Sequence, residues 1–342
     1  MTGRAVGFQG GLALAALITA YFTWQRQPEL AVGEVFAVDL AQSDLEKVRY
    51  EDSDMKSWAE LLGAKDRDGL YVQLHTSGSD ASGVPMPSGH PSVQVKVPER
   101  TVRGNEGATS LFKKLGPLRA SRALGTLDPT KLKDLGLDTT KKHLEIVGRG
   151  TRRRFAIAPA PPGGNDPYIR DEADGRVFVI SRSILTELQS ASVNLTERRL
   201  HSYPIEDVDR IVITANGKTK EYRGSRIGEL PGIRLSPPGS EKADETAKNW
   251  HDRVWNLFPS EVLGKGEIPA AGQPKVAIKV EYFSRGHALG WVELARESGP
   301  SESSAAPASN VTYGRSDFTL GWMKMPTDTA TLINEGEKLV GG

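Results

Sequence analysis

Residues 206–213, EDVDRIVI, rewrite residues 43–50, SDLEKVRY, at a constant shift of 163 positions. Asp44, Leu45, Glu46, Lys47 and Val48 fall against Asp207, Val208, Asp209, Arg210 and Ile211, and Gly69-Leu70 against Gly232-Ile233 without a gap. Self-similarity of this kind restricts the chain to architectures in which one unit recurs. The order of segments recurs too. In each half the phrase is followed by a helical segment (110–125 and 244–264), paired strands (143–158 and 275–294), and a further strand pair ending in a helix (167–188 and 310–333). A shared order is also what any two α+β halves show, and that is the competing account of the match. The expected fold class is α+β: an N-terminal transmembrane helix followed by two similar tandem units of antiparallel sheet backed by helices. The boundaries are a cytoplasmic tip at 1–4, the membrane helix at 5–24, a stem at 25–38, and units at 39–204 and 205–342.

Local patterns fill in this frame. Ala243, Ala247, Trp250, Val254, Leu257 and Phe258 recur at the three-and-four spacing of one helical face. The first helical segment is broken by Gly116-Pro117, which predicts a kink or two short helices. HLEIV, RFAIA, KVAIKVEYF and ALGWVEL carry the β-branched and aromatic residues of half-buried strands. The stretch MKSWAELLG at 55–63 fits an amphipathic helix by itself, but the repeat sets it against KTKEYRGSR, so it is expected as the return arm of a hairpin. Ser183 and Thr327 are placed as helix N-caps. Stretches rich in Gly, Pro and Ser at 76–92, 158–167, 236–244 and 297–309 read as loops.

The expected compartment comes from the amino terminus. Residues 5–24 carry no charge and span about 30 Å as a helix, one bilayer core. Arg4 precedes them, and Tyr21, Phe22 and Trp24 stand at the far end, where aromatic rings suit the interface. The expectation is a single-pass protein of a bacterial inner membrane, with its N-terminus in the cytoplasm and its bulk in the periplasm. A signal peptide cleaved after Ile18-Thr19-Ala20 is the alternative.

Composition excludes some chemistry. The 44 basic and 43 acidic residues nearly cancel, against a nucleic-acid binder working by counterion release. Arg152-Arg153-Arg154 is the densest basic spot and reads as the solvated rim of a hairpin. With no cysteine there is no disulfide, thiolate metal site or thiol nucleophile. The histidines at 75, 90, 143, 201, 251 and 287 stand singly, without the spacing that sets two nitrogens on one helical face, and no cofactor is expected. Trp250 and Trp255 read as core packing before a sugar groove.

One catalytic pattern needs weighing. Ser110-Leu111-Phe112-Lys113, then Ser192-Val193-Asn194, then Lys218-Thr219 follow the order of penicillin-recognising serine acyl-transferases. The third element ends in Lys220 where that chemistry needs glycine, and Ser53-Asp54-Met55-Lys56 supplies a second Ser-x-x-Lys by chance. No catalytic, cofactor-binding or metal residue is assigned.

Leu135-Gly136-Leu137-Asp138, LEIVG, Gly163-Gly164 with Tyr168-Ile169-Arg170, VFVIS, and Glu197-Arg198-Arg199-Leu200 leading into EDVDRIVI form a series. Across residues 130–215 it resembles the bacterial family called domain of unknown function 4340, with the flanks similar in outline. The resemblance implies one amino-terminal membrane helix, an extracytoplasmic remainder, and an accessory role beside ABC-2 exporters related to gliding-motility systems. It brings no catalytic residue. The function expected is a non-catalytic periplasmic accessory or binding subunit of such an export complex, with the ABC-2 permease and its ATPase, or other envelope proteins, as partners. A serine-dependent envelope hydrolase or acyl-transferase and a structural envelope spacer are the alternatives.

Overall fold

Alternation of apolar and charged residues in LEKVRYED and RIVITA produces the central strand of each of two large antiparallel sheets. Leu45, Val48 and Tyr50 point into one core, and Ile211, Ile213 and Ala215 into another. The computed structural model describes residues 33–63, 71–76, 99–160, 164–227, 230–298 and 311–341.

The first half runs β1 (Val35–Val38), a 3-10 turn (Gln42–Asp44), β2 (Leu45–Asp52), β3 (Ser57–Leu62), β4 (Tyr71–Thr76), β5 (Arg100–Arg103), α1 (Glu106–Leu115), β6 (Leu118–Ala120), β7 (Arg122–Thr126), α2 (Pro129–Asp134), β8 (Lys142–Gly148), β9 (Thr151–Ala158), β10 (Tyr168–Asp171), β11 (Arg176–Val179), α3 (Arg182–Gln189) and α4 (Ala191–Asn194). The second runs through a 3-10 turn (Ile205–Asp207), β12 (Arg210–Ala215), β13 (Lys218–Ile227), β14 (Leu230–Ser236), α5 (Glu245–Trp255), β15 (Glu261–Val262), β16 (Lys275–Ser284), β17 (His287–Arg296), β18 (Thr312–Ser316), β19 (Met323–Lys324) and α6 (Thr329–Gly341).

Nine strands form the first large sheet, in the order β5-β4-β3-β2-β8-β9-β10-β11-β7, and eight the second, in the order β14-β13-β12-β16-β17-β18-β19-β15. Superposing β2 on β12 brings β3, β4, β8, β9, β10, β11 and β7 onto β13, β14, β16, β17, β18, β19 and β15, and only β5 lacks a counterpart. The turns agree as well. Arg149-Gly150 joins β8 to β9 and Arg285-Gly286 joins β16 to β17, with positive φ at all four residues, the two-residue geometry that matches strand twist. The corresponding helices α1 and α5 both open on an acceptor side chain: Asn105 takes the Ala108 N–H and Asp244 the Ala247 N–H, each at 3.0 Å.

The expected class requires correction. Among the described residues strand far outweighs helix, in three antiparallel sheets, so the fold is mainly β and not α+β. The shift arises where apolar segments read as helix pair into sheets. α1 stops at Leu115 ahead of Pro117, and 118–126 form β6 and β7, one pairing with β1 and the other with β11. α5 stops at Trp255, leaving Phe258 65% exposed, not on the buried face. Ser183 lies within α3, whose N-cap is Ser181. Residues 57–62 are the return strand β3, paired along β2.

The membrane placement is corrected too. Among the described residues no helix is long and apolar enough to cross a membrane. The single-pass anchor and the inner-membrane location built on it therefore have no helix behind them among the described residues. The span expected at 5–24 lies outside the described residues.

Candidate functional site

The two halves meet where the β5 edge of the first sheet reaches the β15 end of the second. Arg100 stands between two acids, with Nη1 donating to Glu261 at 2.7 Å and Nη2 to Glu267 at 2.8 Å. The second oxygen of Glu267 accepts the Gly264 N–H at 2.7 Å. Main chain crosses as well, from Lys265 N–H to the Thr101 carbonyl at 2.8 Å. Arg103 donates Nε to the Phe318 carbonyl at 2.9 Å and lays its guanidinium 4.4 Å from the ring centroid. Between these contacts is a recess of about 10 Å³ bordered by Arg103, Glu197, Arg199, Val262 and Phe318. That is the room of roughly one water, so this recess holds no larger ligand.

Glu197 anchors the connector leading into the second half. It accepts the Arg198 and Arg199 N–H groups at 2.9 Å each and the Arg199 guanidinium at 2.7 Å. Burial alone raises a carboxyl's pKa, but these donors outweigh it and hold Glu197 below its ordinary value.

The second place is an aromatic nest between that connector, α5 and β16. The His201 imidazole lies on the Trp255 indole, centroids 3.7 Å apart and planes 8° from parallel. Tyr282 meets His201 edge-on at 5.2 Å and His251 at a tilt at 5.7 Å, and Tyr203 closes a side at 5.7 Å from His201. His201 is 8% exposed, and His251 and Tyr282 are wholly buried. Neither nitrogen of either histidine has a hydrogen-bond partner, nor does the hydroxyl of Tyr203 or Tyr282. Burial, then the neighbouring His251, pulls the His201 pKa down to about 3. Burial takes His251 to about 4, with Asp252 opposing and Lys248 reinforcing the shift. Both phenols are pushed up by burial. Both imidazoles are therefore neutral near pH 7.

The residues singled out in sequence are dispersed. Ser110 and Lys113 are exposed on α1, and Ser192 and Asn194 are exposed on α4. α1 and α4 touch through Asn105, whose Nδ2 donates to the Asn194 carbonyl at 2.9 Å. Lys218 and Thr219 belong to the other sheet, where Lys218 donates to the Gly341 carbonyl at 3.4 Å, so the three elements of the acyl-transferase order do not converge. Arg152, Arg153 and Arg154 are each answered by an acid: Glu145, Asp171 and Glu172. Trp250 is core, donating Nε1–H to the Leu332 carbonyl at 2.8 Å. Among the described residues no group of three or more His, Cys, Asp or Glu side chains is placed to hold a metal ion. His90 lies outside them. Sequence reading missed the nest, because His201 and His251 stand on different elements and only the sheet brings them to Tyr282.

No family model matches the chain, and neither does any curated protein or solved structure.

Proposed function

We propose that this protein is a non-catalytic accessory or binding subunit, and that the partner it engages is an ABC-2 type export permease with its ATPase. The resemblance of residues 130–215 to the domain of unknown function 4340 family motivates the choice of partner. The observation that carries the binding role is the placement of exposed apolar side chains. Of the five large hydrophobic residues exposed among the described residues, Phe258 and Ile268 sit on segments that build the junction between the two halves. Phe258 precedes Pro259, whose carbonyl accepts from Arg198, and Ile268 follows Glu267, which accepts from Arg100. A junction whose recess has room for about one water, bordered by exposed apolar groups, suits a surface that docks another protein. The test is crosslinking in cells followed by detergent purification of the tagged full chain. The permease and ATPase should be enriched over an unrelated bait, and Phe258→Ser with Ile268→Ser should reduce both at least tenfold. Purification of the protein alone would discard the proposal.

A further inference from the structure

The first half of the protein provides a control for the aromatic nest. Each half enters its central strand through the same 3-10 turn: Ala41 and Pro204 precede it with φ/ψ of −63/146° and −74/150°, and Leu45 and Val208 leave it at −72/121° and −82/119°. Residues at equal steps before the turns therefore match: Val38 with His201, and Leu40 with Tyr203. Counting from the caps Asn105 and Asp244, Phe112 on α1 matches His251 on α5, as Leu111 matches Trp250. In the sheets Val48 faces Ile146 and its counterpart Ile211 faces Tyr282, so Ile146 matches Tyr282.

Where the first half has Val38, Leu40, Phe112 and Ile146, all buried in an apolar core, the second has His201, Tyr203, His251 and Tyr282. The architecture is thus satisfied by four apolar residues. Replacing all four by titratable ones, and leaving their polar atoms without partners, costs stability that the fold itself does not require.

We propose that the nest is an acid-sensitive latch: proton uptake by His201 and His251 releases the connector at 200–204 and α5 from the second sheet. Everything facing the two imidazoles supports this. The connector contributes Tyr203, β16 contributes Tyr282, and α5 contributes Trp255, Lys248 and Asp252. Asp252 is already engaged by Lys248 at 2.7 Å. Asp317, after β18, acts on Tyr203 and accepts the Trp291 N–H at 2.9 Å. No acceptor meets a nitrogen of either imidazole, so neither can be charged in place without an unpaired buried cation. Once the nest opens, both titrate near the ordinary value of about 6.5.

The sign follows from linkage. Histidines held neutral when closed make the open form the one that binds more protons, so acid favours opening. With two such groups the opening equilibrium grows about a hundredfold per pH unit below roughly pH 6, tenfold for each imidazole. It flattens when the closed form itself takes up protons, at about 4 for His251 and about 3 for His201. This regulation stands whether or not the proposed export partner is right.

Amide hydrogen exchange on the full chain between pH 7 and pH 4.5, corrected for intrinsic rates, tests it. Below about pH 6, peptides from 200–204 and α5 should lose protection about a hundredfold per pH unit, while α1 and β2 change little. His201→Val and His251→Phe install the residues of the first half and should each cut the slope to about tenfold, with the double variant flat. Equal slopes in α5 and α1, or variant slopes equal to wild type, would overturn the latch. Should a variant not fold, the wild-type slope decides: below tenfold per pH unit, the idea fails. Micromolar zinc that protects α5 at pH 7 in wild type but not in His201→Val would make the nest a metal site and equally overturn it.

Discussion

Arg100 of the first half donates to Glu261 and Glu267 of the second from three guanidinium nitrogens, at 2.7 to 3.2 Å. The three side chains are only 20 to 21% exposed. Arg100→Ala therefore leaves two mostly buried carboxylates uncompensated. The expected loss is about 1–3 kcal/mol, below the roughly 3–5 of a fully buried pair because water still reaches this one. Urea unfolding measures it. Arg100→Lys should recover less than half, since an ammonium cannot fork between two acids, and a cycle with Glu267→Gln should show non-additivity.

Gly336 in α6 packs on Trp250. A methyl there would stand 2.7 Å from the indole and collide with the Ile278 side chain. Alanine improves helix propensity by about 1 kcal/mol, yet overpacking costs about 1–3, so Gly336→Ala should be neutral to destabilising. Gly341, with nothing within 4 Å of such a methyl, provides the control and should not lower the melting temperature when made Ala.

Glu197 titrates below its ordinary value, so it contributes stability above the unfolded carboxyl pKa and loses it as pH falls through the folded one. Glu197→Gln should be less stable than wild type at pH 7 by about 1–3 kcal/mol. The difference should shrink below about pH 4.5. Chemical denaturation at pH 7, 5 and 3 separates this from the histidine effect, which begins at higher pH; a constant difference would contradict the assignment.

Ser110 is exposed on α1, far in the topology from Lys218 and Thr219. Ser110→Ala should change stability by no more than about 0.5 kcal/mol, and labelled penicillin should not acylate the wild-type protein. Stoichiometric labelling lost in that variant would establish an acyl-transferase instead.

Sequence alone determined what depends on neighbours along the chain. Period-two alternation wrote β8, β9, β16 and β17 into their segments, and Arg-Gly pairs at the hairpin tips fixed tight turns, because side-chain direction and φ are local properties. The stretch at 55–63 needed its repeat partner to be read as a strand, since a short apolar run fits helix and strand alike. Tertiary structure alone decided the rest. Residues 118–126 became strands only because β1 and β11, distant in sequence, offered edges to pair with. Arg100 found its acids more than 160 residues away. The two histidines, unremarkable singly in the sequence, became neutral and partnerless only when the second sheet and α5 closed around them, because burial and the absence of an acceptor belong to the packed structure and not to the residue.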